Sequence, residues 1–232
     1  MAQQSADAPE EAIEVVQGDE PTAHSTHISL RRGYDDVDLS KAVTKLLRHC
    51  AKWHGVQVQP DGYANANRIV EVEAFRRRSV TEERIKACVH ADKKRLAYRY
   101  STQGNLMVKS IQGHSIRGLN DREMHTLMEA DTTARYAYHM TFPQYAESIR
   151  DNGLIAGGLK NGKRTHIHLV YEDYLQGTKI HGVRQGATVR VQVDLHAAMA
   201  AHIEFFYSEN HVILTRGNAD GCVPAEYVCV ET

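Results

Sequence analysis

Apolar residues recur at helical spacing close to the start of the chain. They lie at Leu39, Ala42, Val43, Leu46 and Leu47, which fall on one face of a helix. Asp38 precedes this face and is placed to cap the helix, which we expect to end near His49. The pattern then changes to the alternating pair Val56 and Val58, and Pro60-Asp61-Gly62 follows as a turn.

The next segment combines another helix with a β-hairpin. Ser79-x-x-Glu82 has the form of a capping box and predicts a helix through about His90. Arg95–Tyr100 and Leu106–Ile111 flank a polar Gly-Asn turn and predict a hairpin. Helices followed by a two-stranded ribbon are typical of a winged-helix-like module.

The second half of the chain contains several short apolar runs and few helical stretches. It follows the polar, acidic stretch Asn120–Asp131, which we interpret as a linker. Tyr136–Thr141 predicts a strand, and Pro143–Asn152 predicts a helix because Gly153 stands just past its end. Further strands are predicted at 165–170, 188–193, 211–215 and 226–230. This pattern favours an α+β fold over a doubly wound sheet.

Charge is distributed unevenly, although the net charge is only −1. Residues 1–30 carry six acidic and no basic side chains, residues 31–118 carry 18 Lys and Arg against nine acids, and residues 119–232 carry ten against 14. We therefore divide the chain into a disordered acidic tail (1–33), a basic lobe (34–119) and a mildly acidic lobe (120–232). A polyanion is expected to dock on the basic lobe, the alternative being a solvated basic face.

Composition excludes several classes of protein. The longest stretch without a charged side chain is the 11 residues Tyr136–Ala146, whereas a membrane span needs about 20 apolar residues. The N-terminus lacks the apolar core of a secretory signal and the arginines of a transit peptide. The four cysteines have no paired spacing and are interpreted as free thiols. We expect an intracellular protein, cytoplasmic or nuclear, that is neither secreted nor bound to a membrane.

Motifs for nucleotides and metals are incomplete. No GxGxxG follows a predicted strand, so the Rossmann fingerprint for dinucleotides is missing. Gly157–Arg164 is close to a P-loop, but Arg164 stands where Ser or Thr should reach magnesium, and we interpret the match as false. His166 and His168 alternate by two, yet no third ligand completes a zinc site. No metal is expected.

Two short motifs suit an anion, and each has a structural alternative. Arg48-His49 ends the first predicted helix, where cations interact well with the helix dipole. The same pair suits an anion pocket, because a guanidinium grips two phosphate oxygens and an imidazole moves a proton near neutral pH. In Gln112-Gly113-His114-Ser115 the glycine lets a ligand approach the backbone. The alternative there is an ordinary polar turn.

Taken in chain order, these and neighbouring segments resemble one known family. They are Leu39-Ser40-Lys41, Leu46-Leu47-Arg48-His49, Asp61-Gly62-Tyr63, Lys93-Lys94-Arg95-Leu96, Gln112-Gly113-His114-Ser115, Tyr138-His139-Met140-Thr141, Arg164-Thr165-His166-Ile167-His168-Leu169, Val193-Asp194 and Phe206-Tyr207-Ser208-Glu209-Asn210-His211-Val212. Each segment is weak alone. Their order and spacing over residues 37–230 are similar to those of the NAD-dependent RNA 2′-phosphotransferases.

The resemblance implies a fold and an activity. The family pairs a winged-helix-like RNA lobe with a β-rich, ADP-ribosyltransferase-like lobe that binds NAD without a Rossmann fold. Its members remove an internal 2′-phosphate from a tRNA splice junction through a 2′-phospho-ADP-ribosyl intermediate. The products are 2′-hydroxyl RNA, nicotinamide and ADP-ribose 1″,2″-cyclic phosphate. NAD is thus consumed, the RNA partner is expected to be tRNA, and the enzyme is expected to be a monomer.

Site residues follow from the same resemblance. The family's essential Arg-His-Arg-Arg set falls on Arg48, His49, Arg95 and Arg164, with the arginines on the phosphate and the histidine orienting it or moving a proton. RNA and phosphate contacts are assigned to Lys41, Lys94, Lys109, Gln112, His114 and Ser115. NAD contacts are assigned to His139, Thr141, His166, His168, Ser208 and Asn210, with a turn-fixing role as the alternative for Asn210.

The sequence departs from the family pattern in places. The departures are Leu96, Lys109, Met140, His202 and His211. Met140 and His211 are expected to narrow the nicotinamide pocket, and Lys109 lacks the bidentate geometry of arginine. Three other functions stay open: an ADP-ribosyltransferase that caps nucleic-acid 5′-phosphate ends, a non-catalytic RNA-binding module and a zinc-dependent phosphohydrolase.

Overall fold

The computed structural model of the chain describes residues 26–91, 95–130, 132–157, 164–172 and 186–231. These residues form helices and antiparallel sheets, so the α+β class predicted from the sequence is confirmed. Buried apolar side chains form two clusters. We call residues 26–119, which hold the first cluster, the first lobe, and residues 120–231, which hold the second, the second lobe.

A series of helical turns builds most of the first lobe. Helix α1 (Asp36–Lys45) continues into a π-helical turn (Leu46–Cys50) and a 3-10 turn (Ala51–His54), and the helices α2 (Ala66–Val70), α3 (Glu73–Arg76) and α4 (Glu82–Ala91) follow. The predicted apolar face is buried, and Leu39, Leu46 and Leu47 are inaccessible to solvent. Burial of this face against the rest of the lobe is the main stabilisation of α1.

Both predicted helix caps are wrong. Asp35 caps α1, because its carboxylate accepts a hydrogen bond from the backbone N–H of Asp38 at 2.8 Å. At α4 the Thr81 hydroxyl accepts from the N–H of Arg84 at 3.2 Å, whereas Ser79 lies outside the helix with φ of +50°. Several side chains near each helix start have capping chemistry, and the sequence does not show which of them the chain positions.

A three-stranded antiparallel sheet completes the first lobe. Its strands are β1 (Tyr63–Asn65), β2 (Leu96–Tyr100) and β3 (Leu106–Ser110), in the order β1-β3-β2. In the β2–β3 hairpin, Leu96 pairs with Ser110 and Tyr100 pairs with Leu106. The predicted hairpin is therefore confirmed, with each strand one residue shorter than expected.

Residues 26–33, which the sequence analysis assigns to the tail, pack on the first lobe. Ile28 and Leu30 are buried in its core. The carbonyl oxygen of His27 accepts a hydrogen bond from Lys45 Nζ at 2.6 Å, and that of Leu30 accepts one from Arg78 Nε at 3.0 Å. This part of the predicted tail is thus held by apolar burial and by cationic side chains. Residues 1–25 lie outside the described residues.

The second lobe consists of short strands with few helices. Its elements are α5 (Asp121–Met124), β4 (Thr126–Leu127), β5 (Tyr136–Thr141), α6 (Ala146–Asn152), β6 (Leu154–Ile155), β7 (Ile167–Leu169), β8 (Val189–Asp194), α7 (Leu195–Ala200), β9 (Phe206–Tyr207), β10 (Ile213–Thr215), β11 (Cys222–Val223) and β12 (Val228–Glu231). The strand orders are β4-β9-β10-β7, β12-β8-β5 and β11-β6. A bridge between Tyr138 and Val170 connects β5 to the end of β7. Among the described helices, none is long and apolar enough to cross a membrane.

The predicted elements of the second lobe recur with shifted ends. Strand β5 has the predicted bounds, and the helix expected from Pro143 begins as a 3-10 turn (Pro143–Tyr145) before α6. Helix α7 was not predicted. Asp194 ends β8 and caps α7, because its carboxylate accepts from the N–H of Ala197 at 3.0 Å. An Ala-rich segment of only six residues gives too few apolar positions for the helical period to be recognised.

Candidate active site

The π-helical turn (Leu46–Cys50) carries two of the predicted site residues, Arg48 and His49. π turns within helices occur often at functional sites. Here Leu46, Leu47 and Cys50 are buried, while Arg48 is half-buried and His49 is exposed. Arg48 Nε donates a hydrogen bond to Ser110 Oγ at 2.7 Å. The end of β3 therefore fixes the orientation of the guanidinium.

The segment Gln112–Ser115 wraps around this turn. Gly113 has φ of +80°, and a Cβ at this position would lie 3.3 Å from Cζ and Nη1 of Arg48. The Arg48 carbonyl accepts a hydrogen bond from the N–H of Ser115 at 3.0 Å, and Ser115 Oγ lies 2.9 Å from His49 Nδ1. The glycine thus allows the backbone to contact the arginine, and the serine holds the histidine.

The charges of two other arginines, Arg95 and Arg164, act on Arg48. Burial, together with the nearby charges of Arg164 and Arg95, lowers the pKa of Arg48 to about 10. Arg48 still carries its charge at neutral pH. Arg95 immediately precedes β2, and its carbonyl accepts from the N–H of Ile111 at 2.9 Å. Guanidinium groups that repel one another in a half-buried place are stabilised by a bound anion, so the arrangement suits a phosphate.

His114 joins the two lobes next to Arg164. Its carbonyl accepts hydrogen bonds from both the N–H and the hydroxyl of Thr165, each at 3.2 Å. Burial, with Arg48 as the largest nearby charge, lowers the pKa of the His114 ring to about 3, so the ring is neutral. Within the described residues, His114 Nε2 and Gln112 Oε1 are buried without a hydrogen-bond partner. These atoms are available to a water molecule or a ligand.

His139 and His168 form a second polar group, on the adjacent strands β5 and β7. His139 Nδ1 donates to the carbonyl of His168 at 3.0 Å, and His168 Nδ1 donates to the carbonyl of His166 at 3.2 Å. Burial lowers the pKa of His168 to about 3. Because a carbonyl only accepts, Nδ1 of each ring carries a proton, and the neutral His168 ring has its lone pair on Nε2. Thr141 is buried at the end of β5.

The structure places His166 against Asp121 of α5, within the second lobe. Its Nε2 lies 3.1 Å from Asp121 Oδ1, and its Nδ1 lies 2.9 Å from Thr165 Oγ1. The Asp121 carboxylate also accepts hydrogen bonds from Nε and Nη2 of Arg216, with Nη2 2.8 Å from Oδ1. The His166 ring thus faces the Asp121 carboxylate in this structure, and its contact with NAD stays a prediction. Among the described residues, no group of three His, Cys, Asp or Glu is placed to hold a metal.

Ser208 and Asn210 shape a turn. Ser208 Oγ donates toward Asn210 Oδ1 at 2.7 Å and accepts from the N–H of Val212 at 3.1 Å. Ser208 is buried, and His211 has φ of +62° in this turn. These contacts agree with the turn-fixing alternative for Asn210.

The three predicted lysines lie in different places. Lys109 is buried, with Nζ 2.7 Å from Glu209 Oε1 and 5.0 Å from the centroid of the Tyr63 ring, so it joins the lobes. Lys41 is exposed beside a cavity of about 330 Å³ that residues 28–31 also line. None of the contacts described for Lys41 is with Arg48, Arg95 or Arg164, which we call the arginine group. Lys94 lies outside the described residues.

Sequence reasoning missed Asp121, His125 and Arg216. His125 stacks edge-on against His166 with ring centroids 6.2 Å apart, and burial lowers its pKa to about 4. Asp121 falls in the polar stretch Asn120–Asp131, which the sequence predicts to be a linker, whereas the structure forms α5 and β4 there. A single sequence carries no signal that pairs residues 45 or 95 positions apart, and only the fold brings them together.

Comparison with known proteins identifies relatives of the chain. The model of the RNA 2′-phosphotransferase, Tpt1 / KptA family matches residues 34–217. The tRNA 2′-phosphotransferase 1 of Danio rerio is 34% identical over 194 residues, which is 83% of each chain. The protein of that name from Homo sapiens is 33% identical over 196 residues, covering 83% of this chain and 74% of the human one. A probable RNA 2′-phosphotransferase of Pseudomonas fluorescens is 28% identical over 179 residues, covering 77% and 90%. The chain belongs to the RNA 2′-phosphotransferase family.

Proposed function

We propose that this chain removes an internal 2′-phosphate from RNA and consumes NAD as its second substrate. The observation that carries the proposal is the approach of Arg48, Arg95 and Arg164, from three separate segments, beside His49. A dianionic phosphate suits this group because its charge offsets the repulsion among the guanidinium groups. Relatives named tRNA 2′-phosphotransferases support tRNA as the source of the phosphate, and we propose a splice junction as its position.

The proposal assigns one substrate to each lobe. Residues 34–119, together with residues 26–33 that pack on them, are a winged-helix-like RNA lobe. Residues 120–232 are an ADP-ribosyltransferase-like NAD lobe, and the remaining residues 1–25 are the acidic tail. The separate buried clusters support this division. The excess of basic over acidic side chains in residues 31–118, 18 against nine, supports RNA binding by the first lobe.

Each member of the arginine group has a stated task. The half-buried Arg48, oriented by Ser110, grips two oxygens of the phosphate, and Arg95 and Arg164 neutralise its remaining charge. Fixed cations also stabilise the charge that develops when the phosphate is transferred. His49 is exposed and is oriented by Ser115, so it holds the phosphate or moves a proton during transfer.

His139 and His168 suit the ribose hydroxyl groups of NAD. A backbone carbonyl orients each ring through its Nδ1. The neutral His168 ring therefore offers Nε2 as an acceptor for a hydroxyl. The neutral state of His168 also avoids repulsion of the positively charged nicotinamide ring. When bound, NAD supplies the ribose that takes over the phosphate. Thr141, at the end of the same strand as His139, is proposed as a polar neighbour.

The test is a product analysis. The protein is incubated with an oligoribonucleotide that carries one internal 2′-phosphate, with and without NAD and in the presence of EDTA, and the products are identified by mass. NAD-dependent formation of 2′-hydroxyl RNA, nicotinamide and ADP-ribose 1″,2″-cyclic phosphate is expected. EDTA leaves the rate unchanged, since guanidinium groups carry out the neutralisation. Failure to consume NAD would contradict the proposal and favour an RNA-binding module, and an RNA that retains ADP-ribose would favour the capping transferase.

A further inference from the structure

An exposed aromatic group lies on the first lobe, outside the arginine group. We call Lys86 and His90 of α4, with Tyr98 and Tyr100 of β2, the tyrosine platform. The two tyrosines are two positions apart on the strand and therefore share a face. Their rings meet edge to face, with centroids 6.1 Å apart and an interplanar angle of 86°.

Helix α4 holds the platform in place. His90 packs edge-on against Tyr98 with centroids 5.1 Å apart, and its Nε2 lies 3.0 Å from the tyrosine hydroxyl. Lys86 Nζ lies 2.9 Å from the hydroxyl of Tyr100 and over both rings, 5.5 Å and 5.3 Å from their centroids. The tyrosines are thus ordered before any ligand arrives, so little side-chain entropy is lost on binding.

Tyr100 is nevertheless the most exposed large apolar side chain among the described residues. Its exposed fraction is 54%, although neighbouring groups already fix its ring. An accessible aromatic ring beside an ammonium group suits a ligand with both a flat π surface and a negative charge. A nucleotide has both, and base stacking on aromatic side chains is the usual way of binding unpaired bases.

The strand that carries the platform begins next to the arginine group. Arg95 precedes Leu96, the first residue of β2, and Tyr100 is the last. At about 3.3 Å per residue, Tyr100 lies roughly 16 Å from Arg95 along the strand. Successive stacked nucleotides advance by about 3.4 Å, so this span corresponds to about five nucleotides, or fewer when the RNA is extended. Strand β2 also belongs to the basic part of the chain, residues 31–118.

We propose that the tyrosine platform binds an unpaired base of the substrate RNA, up to about five nucleotides from the 2′-phosphate, by stacking on Tyr100 while Lys86 contacts the adjacent phosphate. This inference rests on the proposed function, because it assumes that the 2′-phosphate sits among Arg48, Arg95 and Arg164. It adds a substrate requirement: the RNA beside the modified nucleotide is single-stranded.

The test compares short and long substrates. A trinucleotide with a central 2′-phosphate ends before the platform, whereas a single strand with about five nucleotides on each side reaches it. Tyr100→Ala should raise KM for the long substrate about 5- to 150-fold, since stacking contributes roughly 1–3 kcal/mol per base. It should leave kcat, and KM for the trinucleotide, unchanged. Tyr100→Phe, which keeps the ring, should retain most of the affinity.

Tyr145→Ala is the matched control, because Tyr145 is also an exposed tyrosine (42%) but lies in the second lobe. It should change neither KM for the long substrate nor KM for the trinucleotide. Equal KM values of wild type and Tyr100→Ala on the long substrate would overturn the inference. A loss of affinity for duplex RNA as large as that for single strands would do the same, since a paired base has no free face for stacking.

A binding experiment distinguishes failure of this inference from failure of the proposed function. Unphosphorylated single strands with 2-aminopurine at each position in turn are titrated with wild type and with Tyr100→Ala, and fluorescence reports stacking. Position-specific quenching that the variant lacks supports the platform even when the wild type turns over neither substrate. Absence of quenching in the wild type overturns the platform, whereas lack of turnover alone contradicts only the proposed function.

Discussion

Gly113 and Arg48 touch: a Cβ on the glycine would lie 3.3 Å from the guanidinium carbon. We expect Gly113→Ala to push Arg48 away from the phosphate position and to lower kcat/KM clearly. The positive φ of Gly113 adds a backbone penalty of about 1–2 kcal/mol. Gly104→Ala is the control, because Gly104 has the same φ of +80° and open space around it. Both variants should lose similar stability in urea titrations, and only Gly113→Ala should lose activity. Equal activities would contradict the contact's role.

Arg48→Ala should reduce kcat about 10²- to 10³-fold, the usual cost of removing a preorganised donor to developing charge. The variant should remain folded, because loss of the guanidinium relieves its repulsion with Arg164 and Arg95. Arg48→Lys should recover little activity, since lysine lacks the bidentate geometry. Single-turnover rates and urea titrations give both quantities. A folded Arg48→Ala variant with normal rates would remove Arg48 from the mechanism.

His139→Ala should raise KM for NAD and leave KM for the RNA unchanged. Loss of one hydrogen bond between the His139 ring and a ribose hydroxyl corresponds to about a 2- to 12-fold rise in KM for NAD. KM for the RNA should stay unchanged. His196→Ala is the control, because His196 is exposed on α7 and its ring bonds the carbonyl of Thr132 at 2.9 Å. The assignment fails when both substrates are affected equally.

Acid should destabilise the protein from about pH 6.5 downward. Burial lowers the pKa values of His114, His125 and His168 to about 3, 4 and 3. At pH values between the ordinary histidine pKa of about 6.5 and these lowered pKa values, the unfolded chain binds protons that the folded chain does not. The free energy of unfolding therefore decreases as the pH is lowered. Urea titrations from pH 7.5 to 4.5 measure this slope. His125→Gln should make it shallower, and a flat profile in the wild type would exclude neutral buried rings.

Asp121→Asn should loosen the packing of α5 within the second lobe. Burial by itself raises the pKa of the Asp121 carboxyl, but hydrogen bonds from Arg216 and His166 outweigh it and hold the pKa well below its usual range. The carboxylate therefore stabilises the fold above its unfolded pKa of about 3.9, and this stabilisation is lost as pH falls below that value. At pH 7 we expect the variant to lose about 1–3 kcal/mol. Thermal unfolding with and without the substitution measures the loss, and an unchanged midpoint would contradict it.

Local patterns predict local structure in this chain. The spacing of Leu39, Val43 and Leu46 identifies α1, and two apolar runs around a Gly-Asn turn identify the β2–β3 hairpin. Both signals lie within about 16 residues, where periodicity and turn chemistry are sufficient. The resemblance to a known family points to Arg48, Arg95 and Arg164, and the structure brings these together.

Long-range pairs could not be predicted in this way. Lys109 looks like a phosphate-binding cation in the sequence, and it becomes a buried partner of Glu209 only through the fold. His166 looks like a partner of His168 on one strand face, yet it turns to Asp121. The π turn is equally hidden, because its apolar residues keep the spacing of an ordinary helix.

The arginine group includes residues of both lobes. Arg48 and Arg95 belong to the first lobe, and Arg164 belongs to the second, next to the hydrogen bonds between Thr165 and His114. Turnover therefore requires correct docking as well as correct chemistry. A substitution at Glu209, which pairs with Lys109 across the two lobes, can silence the enzyme while each lobe keeps its own fold. Such variants at the contact between the lobes would lack activity, as catalytic mutants do. Their circular-dichroism spectra would nevertheless match that of the wild type.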